Sequence, residues 1–319
     1  MNALQSPVSS LQPLLLSSIN DLSNLQGPII LVGGTFDGVH LGHQALILRA
    51  QEEAKKSAGR VVVMTFDQHP AAFLRPEQTP KVLTRTKEKI KLLRALGVDT
   101  VLLLPFNAAL AATTAENFIH QLAAAAPGLK AICVGANWSF GQGGKGNLTL
   151  LRHLGETLNF SVITIDPIRV EEEMVSSTRI RNALASGDLN TATACLGYPY
   201  ALVGTVVHGA GRGKGLGFPT ANLDLDNVQL PPSGVYLAKA SVNGTLYDAL
   251  VNIGVRPTIH GENSKMTVEA YLLDVESDLY GQEIKLELTA FLREERTFTS
   301  PEALKAQILK DIEVASRSS

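Results

Sequence analysis

The chain has 319 residues, a hydrophobic content of 45% and a formal net charge of −2 at pH 7. This length suggests about two domains, and neither half carries the excess of basic residues that a nucleic-acid-binding surface needs. No apolar stretch approaches membrane-spanning length, and the apolar residues 13–16 lack the basic flank of a secretory signal. We therefore expect a soluble, cytoplasmic protein that acts on small molecules, with no nucleic-acid or membrane partner.

Residues 28–187 alternate between predicted strands and predicted helices. The strands are expected at 29–33, 60–66, 100–104, 130–135 and 160–165, and the helices at 43–57, at 86–96 and from Thr113 into the alanine run that follows. Such alternation predicts a parallel α/β sheet, whose ligands gather at the carboxyl ends of the strands. Residues 1–27 are expected to be an ordinary leader into the first strand.

Beyond residue 200 the pattern changes to short β segments separated by Gly, Pro and Asn. Strands are expected at 201–207, 234–242, 245–253, 267–275 and 283–292, followed by a helix from Ser300 to Ala315. Asn243-Gly244 between two apolar runs is a strong hairpin signal. The pattern predicts a small β-barrel with a covering helix, so we divide the chain into a first domain at 28–187, a linker at 188–200 and a second domain at 201–319.

Residues 29–43 read IILVGGTFDGVHLGH, a buried strand that leads into a glycine turn and then a helix start. This order places backbone N–H groups and the imidazoles of His40 and His43 beside one anion-sized space, which a nucleotide phosphate would fit. The helix N-terminus adds roughly 0.3–1 kcal/mol in favour of negative charge. Asp37 is a poor phosphate ligand and is expected to face a metal, a ribose or backbone donors. Taken alone, a histidine pair at this spacing is more often structural.

Three further segments contain polar residues at the ends of predicted elements. SSTRIR at 176–181 offers hydroxyl and backbone donors at a helix start, although such a motif taken alone is more often an ordinary helix cap with a solvated arginine. In TFDQHP, His69 before Pro70 either fixes a turn or acts in the site, and both readings stay open. GANWSFGQGGKGN at 135–147 is either a binding loop or a surface loop. Cys133 and Cys195 are expected to be small core residues.

The segment HGAGRGKGLGFPTANL at 208–223 is too rich in glycine for regular structure. Its spacing differs from that of a Walker loop, yet its glycines suit a chain that wraps around phosphates. Thr220 and Asn222 follow a Phe-Pro corner and offer oxygen ligands for Mg²⁺. The segment therefore predicts a second phosphate-handling site, separate from the histidine pair.

Several motifs together resemble known families. HLGH at 40–43 with SSTRIR is similar to the HxGH nucleotidyltransferases, which transfer a nucleoside monophosphate from a triphosphate. The glycine-rich segment, with VNIGVRPT at 251–258, VEAYLLD at 268–274, DLYGQEI at 278–284 and FLREERTF at 291–298, looks like the riboflavin kinase module. In this order, and over residues 28–315, the motifs resemble the bifunctional bacterial riboflavin kinase and FAD synthetase family.

The resemblance implies a fold and two reactions. The fold would be a Rossmann-like nucleotidyltransferase domain followed by a small Greek-key β-barrel with a C-terminal helix. Riboflavin and ATP would give FMN and ADP, and FMN and ATP would then give FAD and pyrophosphate, with Mg²⁺ as the cofactor. Such chemistry relies mostly on positioning and on charge stabilisation.

The resemblance also implies roles for individual residues. The catalytic residues would be His40, His43, Arg181 and Glu269, the last as base toward the ribityl hydroxyl, although a strand carboxylate is ordinarily solvated. ATP would be bound by Gly33, Phe36, Asp37, Gly42, Ser177 and Thr178 for adenylyl transfer, and by Gly211, Gly213, Gly215, Gly217, Pro219 and Thr220 for phosphorylation. The flavin would contact Asn137, Phe140 and Arg293, and Mg²⁺ would be held by Thr220 and Asn222.

Some residues depart from the common family pattern. Thr35 replaces a frequent Asn, TFDQHP replaces TFEPHP, and Asn137, Ser139 and Asn147 stand where Asp, Arg and Asp are frequent. Two other hypotheses remain open. A tRNA-charging enzyme shares HxGH but predicts a KMSKS-type loop and a basic extension, which the sequence lacks. A flavin-binding or storage protein without turnover would not need two separate phosphate-handling clusters.

Overall fold

The computed structural model describes residues 13–209, 217–256, 265–275 and 278–317. The chain divides between Ser177 and Thr178 into two compact units. Within the described ranges, no helix combines the length and the apolar character needed to cross a membrane.

The first unit is built on a six-stranded sheet in which every pairing is parallel. Its strands are β1 (Leu14–Leu16), β2 (Ile29–Gly33), β3 (Arg60–Phe66), β4 (Thr100–Leu104), β5 (Leu129–Gly135) and β6 (Ser161–Ile165). The spatial order is β1-β4-β3-β2-β5-β6. The chain therefore moves in one direction from β2 through β3 to β4 and then returns to the other side of β2 with β5.

Helices connect the strands of this sheet. They are α1 (Leu41–Lys56), α2 (Pro70–Leu74), α3 (Thr86–Ala95), α4 (Ala108–Ala112), α5 (Ala115–Ala125) and α6 (Leu148–Leu158). Short 3₁₀ helices lie at Ile19–Asn24, Pro76–Gln78 and Gln142–Gly144, and a small hairpin pairs β7 (Arg169–Val170) with β8 (Glu173–Met174). Helix α7 (Ser177–Ser186) spans the division between the units.

Alternate residues of β2 belong to two different hydrophobic clusters. Ile29 and Leu31 pack with residues of α5 and α6, whereas Ile30 and Val32 pack with residues of α1 and α3. Successive side chains of a strand point to opposite faces, so the sheet is covered on both sides. This explains why β2 reads as an unbroken apolar run in the sequence.

The second unit contains a closed antiparallel barrel. After α8 (Leu189–Leu196) come β9 (Ala201–Val207), β10 (Ala221–Asp224), β11 (Gly234–Val242), β12 (Thr245–Arg256), β13 (Lys265–Leu272), β14 (Glu283–Arg293) and α9 (Pro301–Arg317). The closed order is β10-β13-β12-β11-β14-β9. Three consecutive strands, β11 to β13, are followed by β14 beside β11, which is the Greek-key arrangement. The fold expected from the sequence is confirmed for both units.

Most predicted elements agree with the observed ones, and the differences have local causes. The strands expected at 29–33, 60–66, 100–104, 201–207 and 234–242 are found at those bounds. The expected leader contributes β1, because Leu14–Leu16 pairs with the edge of the sheet at β4. The segment 188–200 contains α8. Cys133 and Cys195 are buried free thiols, as expected.

Candidate active sites

The strand order of the first unit creates a crevice between β2 and β5. At this position the connections leave the sheet in opposite directions, so the loops after the two strands diverge and leave room for a ligand. The loop after β2 is the glycine turn at 34–40, and the loop after β5 begins with Ala136 and Asn137. Both segments that the sequence singled out near these strands therefore border one crevice.

The glycine turn is held in an unusual backbone conformation. Phe36, Gly38 and Val39 have positive φ angles of 52°, 80° and 36°. This region is disfavoured for residues with a Cβ, and most strongly for a β-branched residue such as Val39. The side chains of Phe36 and Val39 are fully buried and anchor the turn in the core. Packing therefore fixes the backbone that precedes His40.

The Asp37 carboxylate stabilises the turn. It accepts the backbone N–H groups of Leu83 at 2.9 Å and Thr84 at 3.0 Å. The backbone carbonyl of Asp37 accepts a hydrogen bond from Ser177 Oγ at 2.9 Å. A metal, a ribose or backbone donors were expected as partners of this carboxylate. The structure shows backbone donors.

His40 and His43 stack at the start of α1. Their ring centroids lie 3.7 Å apart with an interplanar angle of 17°, and the His43 ring lies 4.8 Å from that of Phe36. His40 is the N-cap residue, and its Nδ1 accepts the backbone N–H of His43 at 3.4 Å. The helix therefore begins at Leu41, two residues before the predicted start. Because Nδ1 accepts, the neutral His40 ring carries its proton on Nε2.

The His43 imidazole is neutral at pH 7. Burial, the neighbouring His40 and the positive charge of Lys89 all lower its pKa well below the ordinary value of 6.5. Its Nδ1 is buried without a hydrogen-bond partner among the described residues. We conclude that this ring can act as a hydrogen-bond donor or acceptor rather than as a cation.

Two glycines allow close packing around this pair. A Cβ on Gly42 would lie 3.2 Å from ring atoms of His40. A Cβ on Gly33, the last residue of β2, would lie 3.2 Å from the Trp138 ring. Trp138 follows β5, so its indole covers the end of β2 across the crevice.

The two flavin contacts predicted after β5 have different surroundings. Asn137 is exposed in the turn. Phe140 is buried in the core, where its ring stacks on Trp138 at 4.5 Å and lies 6.4 Å from that of Phe118. The structure therefore shows a packing role for Phe140.

Lys89 was not predicted as a site residue. It lies on α3 with only 7% of its surface exposed. Its Nζ donates to the carbonyl oxygens of Phe66 and Thr35 and to Thr65 Oγ1. The surrounding sequence TKEKIKLLRA resembles a solvated helix with several lysines, so no sequence signal distinguished this residue.

Two other predicted features of this unit have local structural contacts. His69 is the N-cap of α2, and its Nδ1 accepts the backbone N–H of Ala71 at 3.1 Å. In SSTRIR, Ser177 belongs to the first unit and bonds to the glycine turn, whereas Thr178 and Arg181 belong to the second unit on α7.

In the second unit, the barrel aligns three polar residues. Asn222 of β10 and Asn252 of β12 are both register partners of Glu269 on β13. Residues at the same register position project to the same face of a sheet. The adjacent Val268 and Ala270 are buried in the barrel, so this face is the outer one. Thr220 Oγ1 donates to Glu269 Oε2 at 3.4 Å, which joins the predicted Thr220, Asn222 and Glu269 in one cluster.

A second carboxylate extends this cluster. Asn252 Nδ2 donates to Glu295 Oε1 at 3.0 Å. A Cβ on Gly254 would collide with that same oxygen, so the Glu295 carboxylate packs directly against the glycine. Asn252 and Glu295 were not predicted as site residues, because only the closure of the barrel brings their distant segments together.

The remaining predicted residues of this unit lie around the barrel. Gly217 has a φ of +88°, and Pro219 is exposed beside Thr220. Gly211, Gly213 and Gly215 lie outside the described residues. Arg293, predicted to contact the flavin, donates from Nη2 and Nε to the buried Asp311 of α9 at 2.7 and 3.0 Å. Arg293 therefore attaches the terminal helix to the barrel.

Comparisons with known proteins cover both units. Residues 23–179 match the family model described as FAD synthetase, and residues 196–319 match that of riboflavin kinase. Proteins named bifunctional riboflavin kinase/FMN adenylyltransferase are similar to this chain. The one from Escherichia coli strain K12 is 39% identical over 93% of this chain and 95% of its own length. The one from Bacillus subtilis is 35% identical over 92% and 93%.

A solved structure shares the architecture of the whole chain. It is described as a macrolide-efflux protein from Streptococcus pneumoniae and is 31% identical to this chain. The alignment covers 96% of this chain and 99% of that one, with a TM-score of 0.84.

Proposed function

The chain belongs to the bifunctional riboflavin kinase/FMN adenylyltransferase family and is an enzyme that makes FMN and then FAD; we propose that each reaction has its own site. The observation that carries this proposal is the presence of two separate clusters. One is the stacked His40 and His43 at the glycine turn, and the other is Thr220 with Glu269 on the barrel. We assign adenylyl transfer to residues 28–187 and phosphorylation to 201–319, with 188–200 as the linker.

In adenylyl transfer, a phosphate oxygen of FMN attacks the α-phosphorus of ATP, and pyrophosphate leaves. His40 accepts through Nδ1, so Nε2 is the nitrogen that would donate to a phosphate, and the adjacent helix N-terminus favours negative charge. We assign to His40 and His43 the stabilisation of the charge that develops on the phosphates. Gly33, Phe36, Asp37 and Gly42 lie in or beside the glycine turn and are assigned to this ATP. The resemblance assigns Ser177, Thr178 and Arg181 to the same ATP.

In phosphorylation, the terminal ribityl hydroxyl of riboflavin attacks the γ-phosphorus of ATP, and ADP leaves. Glu269 accepts the hydroxyl proton as general base. Its position on the outer face of the barrel leaves the carboxylate accessible to a substrate, and Thr220 Oγ1 orients it. Gly217 and Pro219 lie beside Thr220, where they can approach ATP, and Gly211, Gly213 and Gly215 are assigned to the same nucleotide.

Mg²⁺ fits the donors of the barrel cluster. This ion prefers oxygen ligands and commonly combines few protein groups with water and substrate phosphates. Thr220 Oγ1 and the Asn222 amide oxygen are such ligands, and Asn222 lies beside Glu269 in the register. Thr220 and Asn222 would hold the ion, which neutralises phosphate charge when it is bound with ATP.

The proposal also covers the setting of the enzyme. The substrates are small molecules, and the bulk charge of −2 gives no basic surface for nucleic acid. We place the enzyme in the cytoplasm, with neither nucleic acid nor membrane as a partner. Asn137 remains our candidate for a flavin contact, since its side chain is exposed at the crevice.

The test is product analysis with the purified full-length protein. The protein is incubated with riboflavin, ATP and Mg²⁺, and flavins are separated by chromatography. We expect FMN first and FAD later, and Glu269→Gln should abolish FMN formation while FMN supplied directly still becomes FAD. The matched control is Glu287→Gln on β14, which should leave both steps unchanged. Tight riboflavin binding without any FMN or FAD would contradict the proposal and favour a storage protein.

A further inference from the structure

We propose that Lys89 is a positioning residue for adenylyl transfer, one that holds the glycine turn against the end of β3 and brings its positive charge to that turn. The inference rests on the proposed assignment of adenylyl transfer to the first unit. Lys89 lies on α3, outside every segment that the family resemblance singled out.

The hydrogen bonds of Lys89 join three elements at one atom. Nζ donates to the Phe66 carbonyl at 2.8 Å, to Thr65 Oγ1 at 3.2 Å and to the Thr35 carbonyl at 3.4 Å. Thr65 Oγ1 in turn donates to the Thr35 carbonyl at 2.9 Å. Thr35 immediately precedes the buried Phe36, whose ring contacts His43. Lys89 therefore holds the start of the strained turn in place through the Thr35 carbonyl.

The three acceptors of Lys89 Nζ carry no formal charge. Burial of a cation among neutral acceptors costs free energy, and a neutral donor such as Gln could make similar hydrogen bonds at lower cost. Burial lowers the pKa of Lys89 to about 8, although Asp37 and Asp67 act to raise it. We infer that this buried charge is used at the glycine turn, where it would favour a bound polyphosphate.

Three titratable groups on neighbouring elements interact electrostatically with Lys89. Asp37 in the turn and Asp67 after β3 raise its pKa, and its own charge lowers the pKa of His43 on α1. The Asp37 carboxylate is already bonded to backbone N–H groups. Deprotonation of Lys89 removes its charge but leaves an amine that still donates hydrogen bonds. A rise in pH therefore tests the charge while it preserves the local structure.

Deprotonation of Lys89 is expected to lower the activity as pH rises. The free energy of unfolding should instead increase over the same pH range. The pKa of Lys89 is about 8 in the folded protein and 10.5 as the reference value. The unfolded chain then binds more protons between these values, so this group increases folding stability as pH rises from about 8 to 10.5. Unfolding caused by Lys89 cannot account for a loss of activity in this range.

The experiment compares kcat/KM for FAD formation from FMN and ATP between about pH 6.5 and 9.5, since kcat/KM reports the groups of the free enzyme. Phosphorylation of riboflavin by the same chain is the internal control. The variants are Lys89→Gln, which keeps a donor without charge, and Lys89→Arg, which keeps the charge. Lys91→Gln, on the same helix and more exposed, is the matched control.

For the wild type we expect a fall in adenylyl transfer near pH 8. Lys89→Gln should be slower at pH 7 by about 10-fold to 100-fold, as for residues that orient a directly acting group, and should lack this fall. Lys89→Arg should retain more activity and move the fall to higher pH, and Lys91→Gln should match the wild type. A Gln variant with full activity, or with an unchanged alkaline fall, would overturn the proposal.

The experiment also distinguishes a Lys89→Gln variant that does not fold from a wild type that forms no FAD. If Lys89→Gln does not fold, as judged by circular dichroism and by lost riboflavin phosphorylation, the pH profiles of the wild type and Lys89→Arg decide. A wild type without the fall, or with one that Lys89→Arg leaves in place, overturns the proposal. Failure of the proposed function is recognised separately, because the wild type would then form no FAD at any pH.

Discussion

The His40 ring both stacks on the His43 ring, at 3.7 Å between centroids, and accepts the backbone N–H of His43 through Nδ1. One imidazole therefore starts the helix and fixes the orientation of the other. Since Nδ1 is occupied, only Nε2 of His40 can donate to a phosphate. The capping role and the chemical role of His40 use different nitrogen atoms and can be separated by substitution.

His40→Asn makes this separation. Asn is a good N-cap, so helix α1 should remain, whereas the donor toward the phosphates is lost. We expect adenylyl transfer to fall by about 100-fold or more with little change in riboflavin phosphorylation. His40→Ala should show the same catalytic loss and should also lower the free energy of unfolding by about 1 kcal/mol. Product assays and urea unfolding measure the two effects, and equal unfolding energies for both variants would contradict the capping role.

His43 should make folding stability depend on pH. Its pKa is depressed in the folded protein, so the unfolded chain takes up a proton first as pH falls below about 6.5. The free energy of unfolding should therefore decrease on acidification through that range. His43→Gln should flatten this dependence between about pH 5 and 7, and the exposed His153→Gln on α6 should not. Urea unfolding at several pH values gives the comparison, and parallel curves for wild type and His43→Gln would contradict the burial of this ring.

Gly33→Ala should disturb the crevice through Trp138. The added methyl would lie 3.2 Å from the indole and 3.4 Å from side-chain atoms of Met64 and Val134, so packing must shift. We expect a loss of about 1–3 kcal/mol in the free energy of unfolding. Trp138 is the single tryptophan of the chain, so its fluorescence should report the shift directly. At Gly135 a Cβ would have open space, and Gly135→Ala should leave the spectrum unchanged.

Arg293 distinguishes a structural role from the predicted flavin contact. Its side chain is 14% exposed and pairs with Asp311, whose side chain is 5% exposed. Arg293→Met leaves that carboxylate buried and unpaired, which should cost about 3–5 kcal/mol of folding stability. Replacing Asp311 by Leu as well should recover much of the loss. In this double variant, a normal KM for riboflavin would contradict the flavin contact, and a raised KM would support it.

Secondary-structure elements were predicted best where the local hydrophobic pattern reflects burial. β2 and β3 are apolar runs because both faces of the sheet are covered. The hairpin turn at Asn243 and Gly244 has positive φ angles, which Asn and Gly adopt more readily than other residues. β1 and β10, of three and four residues, were missed because they are too short to show a period. Their pairing depends on neighbouring strands.

Site residues, too, could be predicted from the sequence only where the interacting residues lie close together in the chain. His40 and His43 are three positions apart in the sequence and could be paired from spacing alone. Lys89 and Glu295 could not, because each meets its partners only after distant segments are brought together. Lys89 contacts Thr35 across 54 positions, and Glu295 contacts Asn252 across 43.

The central claim is that two independent sites act in turn, and complementation between two inactive variants tests it most directly. His40→Asn and Glu269→Gln are incubated with riboflavin, Mg²⁺ and ATP, first separately and then together. We predict that the first accumulates FMN, that the second leaves riboflavin unchanged, and that the mixture forms FAD as FMN passes from one protein to the other. A mixture of the two folded variants that forms no FAD would contradict the account.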